Sequence, residues 1–206
     1  MNSILKSSQR RTLVVLGFVG CVEIAVVVFL LVCPSSQHHP VSDTILVTDT
    51  SMQLTSTMFK SNGSIPSLYT CEGANTNPPL TITDVPADAK SLALIMDDPD
   101  VPLEVRPDGI FDHWVLYNIP TTTTLIPANG YVGSLGVNSG GGASYVGPCP
   151  PTQYAPREHR YQFTLYAVDY VLQFQTPPTK AEVLKALQGH TLAQVTLVGR
   201  YQKKGR

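Results

Sequence analysis

Charged side chains are scarce in this sequence, and those present nearly cancel. Lysine, arginine, aspartate and glutamate make up 14% of the 206 residues, and the formal net charge is -1. A chain without a strong field of one sign does not recruit nucleic acid or acidic membranes through its overall charge. The composition therefore argues against a nucleic-acid-binding protein.

Two common chemical signatures are also missing. The four cysteines include no Cys-x-x-Cys spacing, so a structural zinc site has little basis. No Gly-x-Ser-x-Gly sequence is present, so the nucleophile elbow of the α/β-hydrolases is absent. We expect no cofactor.

One long apolar run stands near the N-terminus. Residues 13–32 contain a single charged residue, Glu23, and as a helix they would span about 30 Å, the thickness of a bilayer core. Lys6, Arg10 and Arg11 precede the run, which favours a cytoplasmic N-terminus with the remainder outside. The sequence predicts a single-pass signal anchor, with secretion after signal cleavage as the alternative.

The pattern divides the chain into four segments. We predict a cytoplasmic tail over residues 1–12, a transmembrane signal anchor over 13–33, a polar stalk over 34–43 and a β domain over 44–206. His38 and His39 lie in the stalk, where we expect solvated side chains.

Short β-rich runs fill the predicted domain. Seventeen prolines and fifteen glycines favour turns between short strands. Alternating or continuous apolar patterns typical of strands occur at residues 45–47, 80–83, 91–96, 113–119, 161–168 and 191–201. One helix is indicated, because Thr179 and Glu182 form a capping box before Val183, Leu184 and Leu187, and Gly189 ends it. A weaker helical turn is expected near Gly133.

Three polar stretches lie beside these strands. They are DDPDVP at residues 97–102, DHW at 112–114, and GPCPP at 147–151, which His159 and Tyr161 follow. If the strands pair, their ends meet in one pocket that contains carboxylates, two imidazoles, a phenol and an indole. Imidazolium and phenol groups suit an anion, and a neighbouring carboxylate supports the histidine donor or accepts from an ammonium group. A phosphorylated amine would satisfy both halves of this pocket.

Two rival chemistries use the same residues. Two histidines and one aspartate could form a facial triad for a metal, although the proline and aromatic lining favours an organic ligand. A hydrolase would need an activated nucleophile, for which Ser144 and Cys149 near His159 are the candidates. We predict a binding protein rather than an enzyme.

Six motifs in order resemble the phosphatidylethanolamine-binding protein family, in its bacterial and archaeal Raf-kinase-inhibitor-like branch. The resemblance covers about residues 50–204. The motifs are IPSLYTCEGANTNPPL (65–80), SLALIMDDPDVP (91–102), DHWVLYNIP (112–120), YVGPCPP (145–151), HRYQFTLYAVD (159–169) and GHTLAQVTLVGRYQ (189–202). The resemblance implies a large central antiparallel sheet packed on a smaller sheet, with few helices and an anion pocket at one edge.

The resemblance also implies which residues bind. Those it places at the ligand are Asp98, His113, Pro148, Pro150, Pro151, His159 and Tyr161, with Asp100 expected chiefly to shape a turn. Trp114 is expected at the ligand from the polar pattern of residues 112–114. The segment of residues 103–111 is longer than in many bacterial members, so the rim of the pocket is expected to differ.

Three further residues are candidates for covalent modification. Cys71 and Cys149 lie in two of the motifs, and in an exported domain they either form a disulfide or remain buried thiols. Asn62 begins a glycosylation sequon, Asn-Gly-Ser, which is used only in a eukaryotic secretory route.

The predicted function is binding of a phosphorylated or other anionic small ligand, such as a phospholipid headgroup. The alternative is a protein-interaction module that inhibits a protease or a kinase through the pocket rim, and a hydrolase is the third hypothesis. The membrane is an expected partner through the N-terminal helix.

Overall fold

A computed structural model describes residues 51–204. The predicted tail, signal anchor and stalk, together with the expected strand at residues 45–47, lie outside the described residues. Within residues 51–204, no helix combines the length and the apolar character that crossing a bilayer requires.

The described part of the chain contains nine strands and one α-helix. The strands are β1 (Gln53–Thr55), β2 (Gly63–Ser64), β3 (Leu80–Thr83), β4 (Ser91–Asp98), β5 (Phe111–Ile119), β6 (Leu125–Ile126), β7 (Ser134–Leu135), β8 (Glu158–Val168) and β9 (Thr191–Gln202). The helix α1 spans Lys180–Ala186, and a single 3-10 turn spans Ser67–Tyr69.

The strands form two sheets. A six-stranded sheet has the order β2-β9-β8-β4-β5-β7, and a three-stranded sheet has the order β1-β3-β6. Neighbouring strands are antiparallel except β2 and β9, which are parallel. The predicted mainly β fold, with a large sheet packed on a smaller one and few helices, is confirmed.

The two faces of the large sheet have different coverings. On the inner face, side chains such as Leu94, Met96 and Phe163 pack with Leu80 and Ile82 of the small sheet. On the helix face, Ala93, Ile95 and Val115 pack with Val183 of α1 and with Leu187 at its C-cap. Because side chains alternate along a strand, neighbouring residues of β4 and β8 serve different layers.

The sequence located the long strands better than the short ones. Strand β3 coincides with the predicted run, and β4, β5, β8 and β9 extend the predicted runs by a few residues. The helical turn expected near Gly133 is wrong, because Ser134–Leu135 instead pairs with Leu116 and Tyr117 of β5. The capping box of α1 is confirmed: the Thr179 side chain accepts from the Glu182 amide, and the Glu182 carboxylate accepts from the Thr179 amide.

Candidate functional site

The end of β4 presents a carboxylate to the inner face. Leu92, Leu94 and Met96 alternate toward that face, and Asp98 continues the same alternation at the last position of the strand. Asp98 is buried, and its Oδ1 accepts a hydrogen bond of 2.9 Å from the backbone amide of Asp100. This bond closes the turn that leaves the strand and fixes the carboxylate.

His159 on β8 holds the other oxygen of that carboxylate. Its Nδ1 lies 2.7 Å from Oδ2 of Asp98, and its Nε2 lies 3.1 Å from the carbonyl oxygen of Pro156. Burial lowers the pKa of His159, but the hydrogen bond and charge of Asp98 outweigh it and hold that pKa above its ordinary value. With an acceptor at each nitrogen, the ring is an imidazolium that donates twice.

A bulge in β5 brings His113 to the same face. Met96 pairs with Trp114 and Asp97 pairs with Asp112, so His113 is an extra residue between two paired positions. Such a bulge breaks the alternation of side chains. His113 and Trp114 therefore both point inward, although they are adjacent in the chain.

His113 differs from His159 in its protonation. Its Nδ1 donates to the carbonyl oxygen of Val146 at 2.7 Å, which leaves Nε2 as the titrating atom. Burial lowers the pKa of His113 below its ordinary value, so the ring is neutral near pH 7. Within residues 51–204 its Nε2 makes no hydrogen bond.

The loop of residues 145–151 forms the facing wall. The Val146 amide donates to the His113 carbonyl at 3.0 Å, and the Cys71 amide donates to the Pro148 carbonyl at 3.1 Å. At Gly147 a Cβ atom would lie 2.5 Å from the Tyr69 carbonyl oxygen, so only glycine permits this approach. The structure also joins Cys71 to Cys149 as a disulfide, with Cα atoms 5.4 Å apart.

These elements enclose a cavity of about 430 Å³. Its volume lies in the usual range for small-molecule sites, about 300–1,000 Å³. Its walls are mostly apolar, with a few polar groups at defined positions, which is typical of organic-ligand sites. The lining residues are Asp98, Val101, Val105, Arg106, Phe111, His113, Val146, Gly147, Cys149, Pro150, Pro151 and His159.

The structure brings together five of the nine residues predicted for the ligand, and the other four do not line the cavity. Asp98, His113, Pro150, Pro151 and His159 line the cavity. Asp100, Trp114, Pro148 and Tyr161 are not among its lining residues.

Each of these four residues has a structural environment of its own. The Asp100 carboxylate accepts three hydrogen bonds from the Arg160 side chain and amide, and these bonds hold the pKa of Asp100 below its ordinary value. Trp114 is buried in the core and lies edge-on to Tyr145. Pro148 is buried in the wall.

Tyr161 packs against the ring of His113. Its ring lies edge-on to the imidazole, with centroids 5.2 Å apart. Burial and the charge of Asp98 raise the pKa of Tyr161 far above its ordinary value. The phenol therefore remains a protonated donor beside the cavity.

Seven lining residues were not predicted to contact the ligand. Val146, Gly147 and Cys149 belong to the YVGPCPP motif, of which only the prolines were assigned to the ligand. Val101, Val105, Arg106 and Phe111 lie in or beside the segment of residues 103–111, which was expected to change the rim. Its exposed Leu103 and Val105 carried no periodic signal, and Arg106 has no motif around it. Only the sequence proximity of this segment to Asp98 and His113 could have indicated it.

The rival chemistries have different environments. The Cys149 sulfur is in the disulfide and offers no thiolate. Ser144 lines a second cavity, of about 360 Å³, together with Asn75 and Tyr131, and not the cavity of His159. Among residues 51–204, no group of three or more histidine, cysteine or acidic side chains is arranged to hold a metal ion. Asn62 of the sequon is exposed in a turn with a φ of 62°.

Comparison with known proteins identifies relatives over this whole domain. A family model described as phosphatidylethanolamine-binding protein matches residues 55–202. A UPF0098 protein of Chlamydia pneumoniae is 44% identical over 153 residues, covering 74% of this chain and 99% of the relative. A UPF0098 protein of Methanothermobacter thermautotrophicus is also 44% identical, over 159 residues, with the same two coverages.

Two solved structures share the fold. CT736 of Chlamydia trachomatis, described as a phosphatidylethanolamine-binding protein homolog, matches with a TM-score of 0.71 and 41% identity. YbcL of E. coli, described as a member of the mammalian PEBP family, matches with a TM-score of 0.66 and 28% identity. Each match covers 75% of this chain and 99% of the other chain.

Proposed function

The chain belongs to the phosphatidylethanolamine-binding protein family, and on that premise we propose that it binds a small phosphorylated or otherwise anionic ligand in the cavity beside Asp98, His113 and His159. The observation that carries the proposal is His113, which reaches a mostly apolar cavity with Nδ1 anchored to Val146 and Nε2 uncommitted. A buried polar atom of fixed orientation supports recognition of a specific polar group.

The preferred ligand class is a phosphorylated amine, such as phosphoethanolamine. Nε2 of His113 can share a proton with a phosphate oxygen, because a phosphate monoester loses its second proton near pH 6. Each oxygen of Asp98 already accepts one hydrogen bond and has a second lone pair for an ammonium group. Phe111, Pro150 and Pro151 would surround the carbon atoms between the two ends.

We further propose that binding is not followed by catalysis. A hydrolase needs a nucleophile beside its base. Cys149 is bonded to Cys71, and Ser144 lines another cavity. His159 is already committed to two acceptors, which leaves it poorly suited to accept a proton from a nucleophile.

Isothermal titration calorimetry with phosphoethanolamine tests the proposal. We expect His113→Ala to weaken binding at least tenfold, a loss of about 1.4 kcal/mol, because it removes the free imidazole nitrogen. His113→Gln, which keeps a polar side chain, serves if the alanine variant fails to fold. His190→Ala is the matched control, since His190 is exposed and pairs with Asp169 at 2.8 Å outside the cavity. Absence of binding by the unaltered protein, or equal affinity in the His113 variants, would overturn the proposal.

A second candidate function is supported by the exposed rim. Val105 lines the cavity, Leu103 precedes it by two residues, and their side chains are 49% and 69% exposed. Exposed apolar side chains near a cavity are typical of interaction sites. A module that inhibits a protease or a kinase through this rim would keep its inhibition in His113→Ala and lose it in the double variant Leu103→Ser, Val105→Ser.

A further inference from the structure

The buried polar groups of the cavity supply almost no net positive charge. The imidazolium of His159 is balanced by the carboxylate of Asp98, 2.7 Å away. Burial keeps His113 neutral by lowering its pKa. An anion that entered this cavity would therefore need a cation from elsewhere.

Arg106 provides that cation at the mouth. Among the described residues, it is the only lysine or arginine that lines the cavity. Its guanidinium carbon lies 5.7 Å from the centroid of the Phe111 ring, a cation–π distance. The centroid of the Phe111 ring in turn lies 4.7 Å from that of the His113 ring, so a continuous row of side chains connects Arg106 to the imidazole.

The present partner of Arg106 is exposed to solvent. Nε and Nη2 each donate to the Asp108 carboxylate at 3.2 Å, at the long end of the N–H···O range. The two side chains are 32% and 58% exposed, so water weakens the attraction within this bidentate pair. An anion in the less polar cavity can therefore compete with Asp108 for the guanidinium.

We propose that Arg106 supplies the positive charge for the anionic group of the ligand, by moving its guanidinium from Asp108 to that group. This rests on the proposed function. The planar guanidinium fits a phosphate or carboxylate in bidentate geometry. Asp108 acts as an internal competitor that occupies the same donors when the ligand is absent.

Opposite effects of two substitutions test the proposal by calorimetry with phosphoethanolamine. Arg106→Gln should weaken binding at least tenfold, because charge-assisted hydrogen bonds are lost. Asp108→Asn should strengthen binding severalfold, because the competitor has lost its charge. Arg106→Lys should recover only part of the affinity, since an ammonium group cannot bind bidentately.

Arg157→Gln is the matched control. Arg157 is exposed, lies two residues before His159 and does not line the cavity. Its substitution removes the same charge at a nearby position and should change the affinity less than twofold. The salt dependence of binding should also decrease in Arg106→Gln and persist in Arg157→Gln. Thermal melts establish that all variants are folded.

The outcomes separate this inference from the proposed function. In one outcome, His113→Ala weakens binding, but Arg106→Gln and Asp108→Asn change the affinity less than twofold. That result overturns the role of Arg106 and leaves the proposed function standing. Weaker binding in both Arg106→Gln and Asp108→Asn also overturns the proposal, because Asp108 would then not compete with the ligand for Arg106. Absence of binding by the unaltered protein overturns both proposals.

Discussion

Both faces of the large sheet carry charged groups at the same strand ends, but these groups are covered on one face and border a cavity on the other. On the helix face, Asp97 and Asp112 lie 2.5 Å and 3.0 Å from Nζ of Lys180. On the inner face, Asp98 meets His159. Adjacent positions of β4 therefore supply both clusters, because consecutive side chains point to opposite faces.

The Asp97–Asp112–Lys180 cluster and the Asp98–His159 pair differ in the layer that covers them. Lys180 begins α1, whose buried Val183 packs on the helix face and closes it. Residues of the three-stranded sheet do not line the cavity on the inner face, so the polar groups there border open space. A charged cluster on this sheet is a candidate binding site where no covering layer closes over it. It is a structural ion pair where a helix covers it and supplies the opposite charge.

Removal of the Lys180 charge should give the largest change. Burial raises the pKa of Asp97, and Lys180 opposes this shift. Lys180→Met leaves two partly buried carboxylates without a cation, which should lower the free energy of unfolding by about 3 kcal/mol. Urea unfolding measures this loss, and affinity for phosphoethanolamine should stay within twofold because the cavity is on the other face.

Two variants make the Lys180 experiment specific. Lys185→Met removes an exposed lysine from the same helix and should change the free energy of unfolding by less than about 0.5 kcal/mol. The double variant Asp97→Asn, Lys180→Met should regain part of the loss, since one unpaired charge is gone. A loss below about 1 kcal/mol in Lys180→Met would contradict the view that this cation closes the helix face.

The two histidines of the inner face should respond to pH in opposite directions. The pKa of His113 lies below its ordinary value of 6.5, so stability that depends on its neutral form is lost as pH falls below 6.5. The pKa of His159 lies above 6.5, so its contribution is fully present below 6.5 and is lost as pH rises through the folded value. One proton corresponds to a slope of at most about 1.4 kcal/mol per pH unit.

Unfolding experiments from pH 5 to pH 8 with His113→Gln and His159→Gln measure these slopes. Relative to the unaltered protein, His113→Gln should gain stability as pH falls from 6.5 to 5. His159→Gln should gain relative stability as pH rises above 6.5. Slopes of the same sign in the two variants would show that the histidines do not have the opposite protonation states described here.

The long strands were predictable because each buries a continuous or alternating apolar run, and burial of such runs is the main local signal in a sequence. The two-residue strands β2, β6 and β7 were missed, because pairing with a distant strand alone defines them. Strand β7 exists only through its contact with β5. Local sequence contains little information about such pairing.

The sequence predicted which residues form much of the site, but not the hydrogen bonds and orientations of their side chains. Polar groups next to proline and glycine at strand ends indicated Asp98, His113 and His159. The sequence could not show that both ring nitrogens of His159 bind protein acceptors, because the second acceptor is a backbone carbonyl, that of Pro156, which carries no side-chain signal. Nor could it show that the bulge turns Trp114 inward beside His113, or that Arg106 reaches the mouth.

The N-cap of α1 should give the smallest effect and test how far the two faces are independent. Thr179→Ala removes the side-chain acceptor for the Glu182 amide and should lower the free energy of unfolding by about 1 kcal/mol. Thr179→Ser keeps the hydroxyl and should retain most of the stability. Because the capped helix covers only the helix face, phosphoethanolamine affinity should be equal in the three proteins. A cap variant that loses affinity while it stays folded would mean that α1 positions the cavity through β4 and β5, and the helix face would then belong to the binding site.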